Sequence, residues 1–307
     1  MTEHTSRPLI GAHMSVAGGL ARAFERGQHV GCVTLQIFQR PNRQWRAPRL
    51  TKAMVEAFQA ARRATGIAPV VAHACYLINL ASDNAVTRRR SRRAFIDEVK
   101  RSRRLGLPGV ILHPGSAADR ETAIARIADG INHALDATPD SSTTVLLETT
   151  AGAGRSVGGR FEDLAEIIDR IEQRDRMGVC LDTCHVFAAG YDLRTRRTYR
   201  RTMRALDGTV GLGRLRVIHV NDATGDLGSR LDRHAHIGQG RLGEEAFRLL
   251  MTDHRLVNVP KIIETPKRKG RTLMDGVNLA TLRHLAGERP GMPGSPRARW
   301  QVGPNAG

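Results

Sequence analysis

Apolar residues gather into eight short runs of β type, at residues 9–15, 34–38, 69–74, 109–114, 144–149, 177–184, 216–222 and 261–265. Successive runs start 25 to 45 residues apart, the spacing expected when each crossover contains a helix. Most are near-continuously apolar, which suits strands buried on both faces. The segments between them carry helical periodicity. Residues 51–65 stop at Gly66, residues 91–105 stop at Gly106, and residues 161–172 set Leu164, Ile167, Ile168 and Ile171 three, four and seven apart. Eight βα units in succession predict the α/β class and a closed (β/α)8 TIM barrel. An open, doubly wound sheet is the alternative, but the one candidate nucleotide turn, at 15–19, lacks the full glycine spacing. From about Ala286 the composition shifts to Gly, Pro and Arg. The expected organisation is one barrel domain over 1–285 and a disordered tail over 286–307.

The ends of the runs carry the chemistry. Val70-Val71-Ala72 runs into His73, Val110-Ile111-Leu112 into His113, and Val145-Leu146-Leu147 into Glu148. Val179-Cys180-Leu181 runs into Asp182 with His185 three residues on, Val217-Ile218 into His219, and Ile262-Ile263 into Glu264. In a parallel barrel those ends share one face. The loop after the seventh run adds Asp232 and His234. Any one of these residues is explained more simply as a helix cap or a hydrogen-bonded histidine. The set is not. Nine such groups at one mouth repel as bare carboxylates and are poorly satisfied as buried imidazoles, and divalent cations resolve both problems. Five His with four carboxylates suit zinc, with manganese as the alternative in part, and nine donors exceed what one ion takes. Cys180 and Cys184 are read as core thiols.

Composition narrows the setting. With 40% hydrophobic and 25% charged residues the chain is that of an ordinary globular protein. No apolar run approaches the roughly 20 residues a membrane span needs, and the first twenty residues lack a signal-peptide pattern. Four scattered cysteines make no disulfide framework, so the expected compartment is the reducing cytoplasm. Forty-eight basic against thirty acidic residues give +18, with only five lysines. That excess points to a polyanion such as nucleic acid, although arginine drift on a solvated surface explains it equally well. Arg43, in Asn42-Arg43-Gln44-Trp45-Arg46, and the pair Tyr76-Leu77 after His73 are candidate DNA contacts: an arginine for phosphate or duplex, and two wedges to part stacked bases.

These residues resemble endonuclease IV, the zinc-dependent apurinic/apyrimidinic endonuclease family of base-excision repair. The matching stretches are Gly11-Ala12-His13-Met14-Ser15, Arg43-Gln44-Trp45-Arg46, His73-Ala74-Cys75-Tyr76-Leu77-Ile78-Asn79, His113-Pro114-Gly115-Ser116 and Glu148-Thr149-Thr150-Ala151-Gly152. Leu181-Asp182-Thr183-Cys184-His185, His219-Val220-Asn221-Asp222, Asp232-Arg233-His234 and Glu264-Thr265-Pro266 follow in family order. The resemblance implies three zinc ions. The first is held by His73, His113 and Glu148. The second shares Glu148 and adds Asp182, His219 and Glu264, and the third takes His185, Asp232 and His234. It further implies that a monomer nicks duplex DNA 5′ to abasic sites. Glu148 would orient the attacking hydroxide, and Arg43, Tyr76 and Leu77 would enter the bent DNA at the lesion. Products would be a 3′-hydroxyl and a 5′-deoxyribose phosphate, and removal of 3′-blocking groups is a related expectation. Departures from the family pattern are Gln39-Arg40-Pro41-Asn42, Ala117, Ala153 with Arg155, and Ala223-Thr224. They bear on DNA affinity and rate rather than on reaction class. A metal-dependent sugar isomerase and a non-catalytic damage-binding protein are the competing functions.

Overall fold

The computed structural model describes residues 8–288. Eight strands, β1 (Ile10–His13), β2 (Thr34–Phe38), β3 (Val70–His73), β4 (Gly109–Leu112), β5 (Thr144–Glu148), β6 (Met177–Asp182), β7 (Leu215–His219) and β8 (Lys261–Ile263), pair in parallel around a closed ring. Around them run α1 (Arg22–Val30), α2 (Lys52–Thr65), α3 (Ala85–Leu105), α4 (Arg120–Asp136), α5 (Phe161–Asp169), α7 (Arg196–Thr209), α8 (Gly243–Met251) and α9 (Asp275–Leu285). A short α6 (Thr183–Ala188) grows directly from the end of β6. The protein is a (β/α)8 barrel. The expected tail falls outside the described residues, apart from 286–288.

Element ends follow local chemistry. The Thr51 hydroxyl accepts from the Met54 N–H to start α2, and Gly66, at φ 67°, ends it in the left-handed region. Helix α3 starts six residues before the apolar period does, because the Asn84 side chain accepts from the Val86 and Thr87 N–H groups. Its first turns, Thr87-Arg88-Arg89-Arg90, have little apolar stripe, so periodicity alone places the start at residue 91. At the other end of the range, α5 stops at Asp169 rather than 172. The run predicted over 177–184 ends as a strand at Asp182, whose Oδ1 accepts from the His185 N–H at 3.0 Å and so caps α6. The runs over 109–114 and 261–265 stop as strands at Leu112 and Ile263, leaving His113 and Glu264 one position beyond.

The core has two parts. The larger lies between the strands and the helix ring and includes Phe24, Phe58, Phe95, Phe161 and Phe247, all nearly inaccessible. The smaller fills the barrel: Val71, Ile111, Leu146, Cys180, Val217 and Ile262, one from each of β3 to β8. Side chains alternate across a strand with period two. Two residues beyond these six stand His73, His113, Glu148, Asp182, His219 and Glu264. The period that buries the inner apolar layer therefore stacks a second, polar layer on it at the C-terminal mouth.

Candidate metal centre

Ligand atoms of the nine residues converge in three groups, His73–His113–Glu148, Glu148–Asp182–His219–Glu264 and His185–Asp232–His234, each with its atoms within 4.8 Å of one another. Glu148 joins the first two. Its Oε2 lies 3.1 Å from His73 Nε2 and 2.9 Å from His113 Nε2, while its Oε1 lies 2.8 Å from His219 Nδ1. His219 Nδ1 is also 3.3 Å from Glu264 Oε2 and 3.8 Å from Asp182 Oδ2. Asp182 leads on to the third group, with Oδ2 3.6 Å from His234 Nε2. His185 Nε2 lies 3.1 Å from Asp232 Oδ1. The loop bearing Asp232 and His234 is held by antiparallel pairing of Asp222 with Ala235 and Ala223 with His234.

Hydrogen bonds behind the donors fix which ring nitrogen faces the centre. His73 Nδ1 donates to the Ala74 carbonyl at 2.7 Å, His185 Nδ1 to the Thr149 carbonyl at 2.8 Å, and His234 Nδ1 to the Glu264 carbonyl at 3.3 Å. Each presents Nε2 forward, as metal-binding histidines do when a second partner holds the other nitrogen. His219 is turned the other way, with Nε2 at 2.7 Å from Gln36 Oε1 and Nδ1 at the centre. Asn221 ties two carboxylate residues together: its Nδ2 donates to Asp182 Oδ2 and its Oδ1 accepts from the Glu264 N–H, both at 2.7 Å.

The buried charges act mainly on one another. Burial alone would push the Glu148 carboxyl up, but His113 and His219 hold it well below the usual carboxylate range. Burial would depress His185, yet Asp182 and Asp232 outweigh it and bring the imidazole up to about 10. Two atoms test whether cations fit. His185 Nε2 and His234 Nε2 are buried and face carboxylate oxygens at 3.1 to 3.6 Å without a well-directed hydrogen bond, an arrangement that a bound cation satisfies. With five imidazoles and four carboxylates the donor set is of the nitrogen and oxygen type that zinc accepts. Cys180 and Cys184 come near, in groups with Glu148–His219 and Asp182–His234. Both are free and fully buried, and burial pushes the Cys180 thiol up to about 12, in keeping with the reading of core thiols.

Two site residues escape the strand-end argument. His13 closes β1, and its Nδ1 lies 2.9 Å from Glu264 Oε1; Gln36, inside β2, donates to the same oxygen at 2.6 Å. His13 ends an apolar run as the others do, and Gln36 is a lone amide in a buried strand; those were the available signals. At the rim, Tyr76 is 56% exposed, with its ring 5.6 Å from His73 and 5.1 Å from Phe38. Arg43 is exposed and Leu77 is half-buried against the core. A cleft of about 630 Å³ lined by His13, Phe38, Pro41, Asn42, Tyr76 and Glu264 connects this rim with the donors.

Fold and site together define a TIM barrel whose C-terminal mouth is built to bind metal. Residues 24–285 match the family described as "Xylose isomerase-like TIM barrel". A protein of Chloroflexus aggregans named "Probable endonuclease 4" is 48% identical over 280 residues, covering 91% of this chain and 98% of its own. The "Apurinic-apyrimidinic endonuclease" of Caenorhabditis elegans is 41% identical over 273 residues, 87% of this chain and 68% of that one. Among solved structures, endonuclease IV from Thermus thermophilus superposes with a TM-score of 0.81 at 38% identity, covering 92% of this chain and all of that one. The chain belongs to the endonuclease IV family, and it is a nuclease.

Proposed function

We propose that the chain hydrolyses the phosphodiester bond 5′ to apurinic/apyrimidinic sites in duplex DNA, leaving a 3′-hydroxyl and a 5′-deoxyribose phosphate. Removal of 3′-blocking groups is assigned to the same site. The observation that carries the reading is the sharing of Glu148 between two donor groups, with a third group reached through Asp182. It supports three zinc ions, with manganese replacing zinc in part: one on His73, His113 and Glu148, one on Glu148, Asp182, His219 and Glu264, one on His185, Asp232 and His234. Cations held there supply Lewis acidity, which makes water a usable nucleophile at neutral pH and offsets charge developing on a phosphate.

The chain's own groups do the rest. Glu148, fully buried where the first two groups meet, orients the attacking oxygen and accepts its hydrogen bond. Arg43, Tyr76 and Leu77 occupy the rim where a duplex would be parted. An abasic nucleotide has no base to unstack, so its extrusion costs less than that of an intact one, which favours the lesion. The unit proposed is a monomer acting in the cytoplasm, its catalytic barrel spanning 1–285 with 286–307 as an appended tail. Four buried, unpaired thiols support a reducing compartment.

The test is nicking of a duplex carrying one abasic site, with and without chelator, beside metal analysis of the purified chain. Chelation is expected to abolish nicking, and Glu148→Gln to lower kcat by about 10³-fold or more while duplex binding survives. A metal-free chain that still nicks, or an active Glu148→Gln variant, overturns the assignment.

A further inference from the structure

We propose that Glu98 and Arg40 form a positioning clamp that holds the two rim segments bearing Arg43 and Tyr76 as one rigid reader, a role that rests on the DNA contacts assigned above. Residues 39–50 have no helix or strand, so their carbonyls need partners from elsewhere. Arginines supply them. Arg40 donates to the Gln44 and Trp45 carbonyls, immediately after the turn that presents Arg43. From α3, Arg101 donates to the Gln39 and Pro48 carbonyls, each at 2.8 Å, and Arg104 to the Leu50 carbonyl at 2.7 Å.

Glu98, wholly buried on α3, is where the two segments meet. One oxygen accepts from the Cys75 N–H at 3.2 Å, beside Tyr76 in sequence, and lies 3.8 Å from Arg40 Nε. The other accepts from Gln39 Nε2 at 3.2 Å. Cys75 Sγ closes the circuit at 3.0 Å from the Asn42 carbonyl. None of these groups is among the nine donors, so the clamp is separate from the metal centre.

Stability does not account for it. Gln39 Oε1, Arg40 Nε and Arg101 Nε are buried in the same cluster without a hydrogen bond. A partly satisfied polar cluster is worse for folding than apolar packing of the same volume. What the cluster provides is a fixed relation between Arg43 and Tyr76, which two independent loops could not keep.

The test is a double-mutant cycle on an abasic duplex, reading KM, kcat and bound metal for Glu98→Gln, Arg43→Ala and the pair. Glu98→Gln is expected to raise KM about tenfold, with kcat within about twofold of the parent and metal content unchanged. The double variant should fall short of the sum of the two single effects, since part of what the clamp does acts through Arg43. Should Glu98→Gln fail to fold, Arg40→Lys serves instead: it keeps a cation facing Glu98 but removes the donors to Gln44 and Trp45, and the same KM rise is expected. Additive effects, or a loss confined to kcat, overturn the clamp. A parent chain that does not nick the duplex overturns the underlying reading instead.

Discussion

Buried charge has different consequences depending on what surrounds it. Imidazoles around Glu148 hold its carboxyl below the usual carboxylate range, whereas Lys261 at the opposite end of the barrel meets mainly carbonyls. Its side chain is 1% exposed, and its Nζ donates to the Leu256 carbonyl at 2.6 Å and the Val259 carbonyl at 2.9 Å. Burial pushes the ammonium down to about 8, only partly offset by Asp253. The sign of the consequence follows from linkage. Between pH 8 and the unfolded value of 10.5, the unfolded chain holds a proton that the folded chain has released. Stability contributed by Lys261 therefore rises with pH across that window and is lost as pH falls through 8. Urea midpoints measured from pH 8 to 10 are expected to carry this upward component, and Lys261→Met to lack it. Parallel profiles for parent and variant would mean that the amine stays charged in the fold.

At the scale of elements, the barrel depends on close strand contact next to the site. Gly11 in β1 faces β2 so closely that a Cβ there would stand 1.8 Å from the Thr34 carbonyl oxygen. Backbone cannot yield as a flexible side chain can, so Gly11→Ala must separate β1 from β2. The expected cost is about 3 kcal/mol, read as a fall in the urea midpoint, and it should be accompanied by loosening of His13 and Gln36 against Glu264. Unchanged stability would show that the ring absorbs the displacement. Strand interiors also explain what was legible beforehand. Six apolar runs ending in His73, His113, Glu148, Asp182, His219 and Glu264 were visible because a charged or imidazole residue interrupts continuous apolar sequence. The inward register was not, since both faces of each strand are apolar and the period of two has no contrast. Gln36 is the exception, since Thr34 and Gln36 alternate with Leu35 and Ile37, but nothing local says that their face is the barrel interior. The Glu98 cluster was hidden because its members are far apart in sequence and meet only when α3 packs behind the 39–50 segment. Periodicity alone gives helix α3 too late a start because its arginine-rich first turns carry a cap rather than a stripe.

Across the whole molecule the excess of +18 divides into arginines with structural work and arginines without. Arg40, Arg101 and Arg176 are buried and serve backbone carbonyls, so part of the charge has nothing to do with a partner. Helix α7 is the contrast. Arg196, Arg197, Arg200, Arg201 and Arg204 are exposed, and among the described residues none of their side chains makes a hydrogen bond or close ion pair, although Arg201 still feels Asp192. No acidic residue stands in its first turn. Arg196 and Arg197 thus sit at the positive end of the helix dipole, and 196/200/204 and 197/201 repeat like charges at i,i+4, both unfavourable for an isolated helix. A sequence that breaks two local rules at once is expected to be compensated elsewhere, and a phosphate backbone would supply what is missing. Barrel helices run antiparallel to the strands, so the N-terminus of α7 lies toward the face that carries the candidate metal donors. Binding of an abasic duplex, measured in the Glu148→Gln background to prevent cleavage, should therefore weaken steeply with salt. Replacing Arg196, Arg197, Arg200 and Arg201 together by Gln, itself a good helix former, is expected to flatten the plot of log affinity against log salt by about 0.9 for each phosphate no longer neutralised. A flattening of about 2 or more places flanking DNA along α7. An unaltered slope assigns these arginines to solvent and leaves recognition to the rim around Arg43 and Tyr76.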